Sequence, residues 1–262
     1  MTTGPVAAPL ALACVLAAVV YAAGAARLRR RGDAWPWRRD AVFAVGCAAL
    51  VWGLAGPVPG GPFTAHAGRH LLVAMAGPAL LATARPLTLV LRLLPPGGPR
   101  RGLLRVAHSP AARWLLFPPV AAAVDVGGLW LLYRTGLWAA AHRNPLPGGL
   151  LELHMLLAGL LFAMAVWRLD PVRGRCGLPL RAVTLLAAGA AHAVLAKSLY
   201  VAGPPGTAFT AADLRAGAQL MYYGGDAVEM FLALVLAVQW YAATGRRRAR
   251  QAAREALPAG VH

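Results

Sequence analysis

The sequence predicts an all-α protein embedded in a membrane, a bundle of seven transmembrane helices with its N-terminus outside and its C-terminus in the cytoplasm. Three observations carry this. The chain of 262 residues is 59% hydrophobic and only 13% charged, a composition that a soluble domain does not have. It contains seven apolar runs of the length needed to cross a hydrocarbon core of about 30 Å as a helix, roughly 20 residues each. The basic residues fall in alternate connectors between those runs.

The runs have approximate limits 5–26, 40–57, 66–91, 114–134, 150–168, 181–201 and 216–243. After the first come Arg27, Arg29, Arg30, Arg31, Arg38 and Arg39, whereas the connector after the second carries no charge. Arg92, Arg100, Arg101, Arg105 and Arg113 follow the third run, Arg168, Arg173, Arg175 and Arg181 the fifth, and Arg246, Arg247, Arg248, Arg250 and Arg254 the last. These four regions hold most of the 26 Lys and Arg residues, so they are cytoplasmic by the positive-inside rule. An odd number of spans satisfies that alternation. Residues 1–245 then form one membrane domain and 246–262 a basic cytoplasmic tail. No basic residue precedes the first run, which reads as a retained span and not a signal peptide. Arg85 interrupts the third run but lies roughly 28 Å along the helix from His66, close enough to the inner face to snorkel.

The formal charge of +17 does not indicate nucleic acid, because the arginines form short loop clusters and no basic domain; anionic lipid headgroups are the expected counter-charge. Cys14, Cys47 and Cys176 are far apart and give neither a CxxC motif nor a disulfide framework. There is no strand pattern, no glycine-rich phosphate loop, and no base and acid positioned for Ser109 or Ser198, so no enzyme constellation is present. Small residues on the spans permit close helix contact within one copy or across a homodimer.

Polar residues within the spans are the functional candidates. His66 and His70 begin the third span, His142 falls in an external connector, and His154 opens the fifth span two residues after Glu152. His108 lies in an internal loop and His262 ends the tail. Asp125 and His192 fall near the midpoints of the fourth and sixth spans, with Asp226 and Glu229 sharing a face of the seventh. A charge at a helix centre costs about 2.5–3.5 kcal/mol on the insertion scale, so these carboxylates need partners inside the bundle. A polar network of Asp125, Glu152 and Glu229 fixing helix register is one reading; a site for an ion, a proton or a metal is the other. The His66-x3-His70 spacing points two imidazoles the same way, an arrangement that grips a metal ion. With His154, His192, Asp226 and the thioethers of Met75, Met155 and Met221 available, the mixture of imidazole and soft sulfur favours copper.

Beyond these donors, the run Phe63-Thr64-Ala65-His66 through His70, Met75-Ala76-Gly77-Pro78 and Arg85-Pro86-Leu87 resembles the multi-span CtaG family of cytochrome c oxidase assembly factors. Glu152-Leu153-His154 with Gly159, Phe162 and Asp170-Pro171 looks like that family's fifth span, and Ala191-His192-Ala193 like its sixth. Asp213 to Glu229, with Gln219, Tyr222, Tyr223, Gly224, Gly225 and Asp226, is similar to its last. The resemblance covers about residues 40–243. It implies a multi-pass protein of the bacterial plasma membrane that assists oxidase maturation, with oxidase subunits as partners and a part in supplying copper from an external His-rich site. Single-span copper chaperones sharing the family name use Cys ligands, which this chain lacks. Where the family often has an Asp-Gln pair this sequence reads Asp213-Leu214, which leaves the role of Asp213 open.

Three other functions compete. A proton-coupled or metal-ion transporter would use the buried carboxylates and His192, although no inverted repeat is visible. A haem protein would need His pairs deep in the membrane. A retinal photoreceptor would need a Lys deep in the last span, whereas Lys197 lies on the sixth.

Overall fold

The apolar runs become helices because nothing inside them offers the backbone an alternative: in lipid each N–H and C=O must be satisfied within its own segment. In the computed structural model, which describes residues 6–143, 145–171 and 176–255 without the side chains at 142, 145, 247, 250 and 252–255, no strand occurs among the described residues. The first helix, α1 (Ala7–Arg30), ends where Gly32 takes φ +81, the left-handed conformation that glycine adopts at a helix C-terminus. Pro36 then precedes α2 (Trp37–Ala55).

The third run is not one regular helix. It comprises α3 (Pro62–His70), a π-helical turn over Leu71–Ala76, and α4 (Gly77–Thr83). Pro78 has no N–H to give to Ala74, the residue four before it, and the backbone widens: the Gly77 N–H bonds to Leu72 O, five residues back. The run breaks at Arg85 (φ 57, ψ 57), since a residue before proline is disfavoured in the right-handed helical region, and continues as α5 (Pro86–Leu93) with a bend of about 40°.

The connector after it, expected to be a loop, folds into two short helices, α6 (Gly98–Ala107) and α7 (Pro110–Leu115), neither of which buries a residue fully. Then follow α8 (Pro118–Arg134), α9 (Leu137–Arg143), α10 (Pro145–Trp167), α11 (Leu178–Val201) and α12 (Ala211–Glu255). No break marks residue 245; α12 runs on through the first arginines of the tail, whose Arg, Ala and Gln residues favour helix. Arg173 and Arg175, between α10 and α11, and residue 262 lie outside the described residues.

Among the described residues four helices are long and apolar enough to cross a membrane: Ala7–Arg30, Leu146–Trp167, Leu178–Val201 and Ala211–Arg246. The bent pair Pro62–Thr83 and Pro86–Leu93 makes a fifth when taken as one span. The second and fourth expected spans are helical but do not reach that standard. Arg38, Arg39 and Asp40 occupy the first turn of α2, and α8 has 17 residues.

The segment from α3 to α4 is central. It packs against α2, α10 and α12, while α10 packs on α8, α8 on α11, and α11 along α12. Two apolar clusters fill the interior formed by α3, α4, α8, α10, α11 and α12. One contains Phe63, Ala67, Leu132, Leu195 and Met221; the other contains Ala79, Phe162, Trp167, Leu185 and Leu232. Between them, at a common level on each helix, lie the polar side chains.

Candidate functional site

His70 closes α3 just where the π turn begins, and its imidazole is 1% exposed. Neither ring nitrogen has a hydrogen-bond partner. Across from it on α11 stands His192, 3% exposed, with ring centroids 5.9 Å apart and planes inclined by 35°. His192 Nδ1 lies 3.3 Å from Glu229 Oε1 on α12, while its Nε2 has no partner. Two glycines permit this approach. A Cβ on Gly225 would collide with the His192 imidazole, and a Cβ on Gly189 would collide with the Glu229 carboxylate.

Asp125 on α8 completes the layer. A cavity of about 30 Å³ is bounded by His70, Asp125, His192 and Glu229, with Met75 beside them. That volume accepts a water or a single ion, given that a water needs roughly 10–15 Å³ by this measure. A smaller cavity of about 10 Å³ shares His70 and Asp125 and adds His154 and Met155. His154 Nε2 packs over Gly128 of α8, where a Cβ would have no room. On α10, Gly159 presses against the Ala74 carbonyl in the π turn. The helix irregularity, the glycines and the histidines therefore belong to one assembly.

The sequence-predicted residues separate into two groups. His70, His154, His192, Asp125 and Glu229 converge on the two cavities, as do Met75 and Met155. His66 lies one turn away and packs edge-on against Trp138, with centroids 4.0 Å apart, and against Tyr133. Met221 is buried in the same aromatic cluster. Asp226 lines neither cavity. Glu152 is half-buried near Arg69, and Glu152 Oε2 and Arg69 Nε have no hydrogen-bond partner. The side chain of His142 and all of His262 fall outside the described residues. Among the described residues, no group of three or more His, Cys, Asp or Glu side chains is placed to hold a single metal ion.

Two roles emerge that sequence reasoning missed. Asp213 at the start of α12 accepts hydrogen bonds from the Phe63 N–H at 2.8 Å, the Thr64 N–H at 3.0 Å and Thr64 Oγ1 at 2.7 Å. It caps α3, satisfying amides that a helix N-terminus leaves open. Arg69, next to His70, is a cation within an apolar run beside the half-buried Glu152; the insertion cost of arginine was the signal that could have marked it.

An uncharacterized protein of Mycobacterium bovis is 35% identical over 188 residues, which cover 68% of this chain and 28% of that protein. An uncharacterized protein of Mycobacterium tuberculosis matches to the same extent. One of Mycobacterium leprae is 31% identical over 166 residues, covering 60% of this chain and 25% of its own length. The chain thus spans little more than a quarter of the curated relatives it matches. No solved structure matches. The family model described as cytochrome c oxidase caa3 assembly factor matches residues 19–243, a stretch that holds α2 to α11, the second half of α1 and most of α12 together with every residue of the polar layer, and the chain belongs to that family.

Proposed function

We propose that the protein assists the assembly of cytochrome c oxidase in the bacterial plasma membrane by holding copper at the His70–His192 layer and passing it to an oxidase subunit. The observation that carries this reading is the His70 imidazole, fully buried with both nitrogens unpartnered and facing a second imidazole. Leaving such a group unsatisfied costs about 1–3 kcal/mol, an expense that a bound ligand removes. Met75 and Met155 line the flanking cavities, and neutral imidazole with thioether is a donor set suited to cuprous copper. His154 is the further imidazole within the layer. His66, the other member of the predicted pair, serves this reading as packing one turn from the site, against Trp138 and Tyr133.

In the same proposal all seven apolar runs cross the membrane, with α2 and α8 as shorter spans, the N-terminus outside and the arginine-rich connectors against anionic lipid on the cytoplasmic side. The test is metal analysis of purified protein loaded with cuprous copper. His70→Ala and His192→Ala should each lose the bound copper and His66→Ala should keep it. Equal copper in all of them removes the reading.

A transporter is the second reading, favoured by the carboxylates of Asp125 and Glu229 at the same mid-bundle level as His192. Copper accumulation inside proteoliposomes carrying the purified chain would select it over static holding.

A further inference from the structure

A third cavity, of about 540 Å³, lies away from the histidines, between the end of α1 and the junction of α5 with α6. Arg27, Arg31, Arg92 and Arg100 line it, and among the described residues the one carboxylate on its wall is Asp33. Arg92 is held in place, with Nη2 donating to Asp33 Oδ1 at 2.9 Å and Nη1 donating to the Ala34 carbonyl at 3.1 Å. That pair neutralises one guanidinium and leaves three positive charges facing one space. Arg100 Nε is buried without a hydrogen-bond partner. Arg100 sits in the first turn of α6, which has no acidic residue, so the positive end of that helix dipole adds to the charge here. An anion is what this wall lacks.

The rest of the lining decides which anion. Leu91, Leu93, Leu94, Pro95 and Pro96 form the remainder, so charge and apolar surface meet in one cleft. A free phosphate would leave that apolar surface facing water. A molecule with a charged head and a hydrocarbon body fills both halves. The adjoining α6 and α7 carry Arg101, Arg105 and Arg113 together with exposed Val106 and Trp114, 68% and 64% accessible, which suits helices lying in a headgroup layer. We propose that this cleft holds the phosphodiester headgroup of one anionic phospholipid, with its acyl chains running over Leu91 to Pro96. The inference is independent of copper, since none of these residues lines the His70 cavity.

The test uses the full chain purified in detergent and titrated separately with phosphatidylglycerol, phosphatidylcholine and inorganic phosphate, with retained lipid counted by native mass spectrometry. The wild type should retain one phosphatidylglycerol at roughly tenfold lower lipid concentration than phosphatidylcholine, and Arg31→Gln with Arg100→Gln should abolish that preference. Arg100→Gln alone, on a helix with no buried residue, should weaken it severalfold with an unchanged melting temperature, which guards against misfolding of the double variant. Equal retention of the two lipids by the wild type overturns the proposal. Displacement of phosphatidylglycerol by micromolar inorganic phosphate overturns the lipid as the occupant and makes the cleft a soluble-phosphate site.

Discussion

His192 and Glu229 meet across the α11–α12 contact, Nδ1 to Oε1 at 3.3 Å, and the opposite edge of the same imidazole is left unpartnered. One nitrogen is thus oriented by a carboxylate while the other remains available. Metal-binding histidines are often arranged this way, with the second-sphere carboxylate fixing the tautomer. Glu229→Gln should therefore weaken copper retention by roughly 10–100-fold without abolishing it, read by chelator competition on the purified protein. An unchanged affinity would reduce Glu229 to a structural partner.

The Gly225 contact predicts a steric effect. Gly225→Ala places a methyl against the His192 ring and should lower stability by about 1–3 kcal/mol, seen as a lower melting temperature in detergent. Gly127→Ala on α8 meets nothing within 4 Å and should be neutral or slightly stabilising, since alanine is the better helix former.

Removing the Asp213 cap should loosen the start of α3. Asp213→Ala is expected to cost about 0.5–2 kcal/mol, with Asp213→Asn retaining part of the stability through its amide oxygen. Proteolysis between α2 and α3, followed by mass spectrometry, should accelerate in the alanine variant. Equal cleavage in both would separate the cap from the rigidity of this segment.

Pro78 supplies the missing donor that goes with the π turn, so Pro78→Ala restores an N–H and should tighten Leu71–Ala76 toward regular helix. Each residue of helical register rotates a side chain by about 100°. His70 would then lose its alignment with His192. Copper retention should fall while the helical circular dichroism stays constant.

The helices were legible because apolar length and arginine alternation are local and additive properties of the chain. Every one of the seven runs falls on helix, whereas the amphipathic α6 and α7 went unread because glycine, proline and arginine resemble a loop. The site was legible in part. His70, His154, His192, Asp125 and Glu229 announced themselves as polar groups in apolar runs. His66 was expected beside His70, yet its ring packs on Trp138 and Tyr133, because residues four apart share a face but stand about 6 Å apart along the axis. Over that distance the interior changes from the Trp138 cluster to the polar layer. The Asp213 cap joins residues about 150 positions apart, and no local pattern encodes such a contact.

That long-range cap also orders events during synthesis. Phe63 and Thr64 emerge from the ribosome well before Asp213, so the N-terminal amides of α3 stay uncapped until the last helix begins. His192 and Glu229 arrive late as well. A nascent chain stopped after α10 carries His70 and His154 with neither the opposing imidazole nor the clasp that holds α3 in place, so loading of the metal proposed here must await the synthesis of α11 and α12.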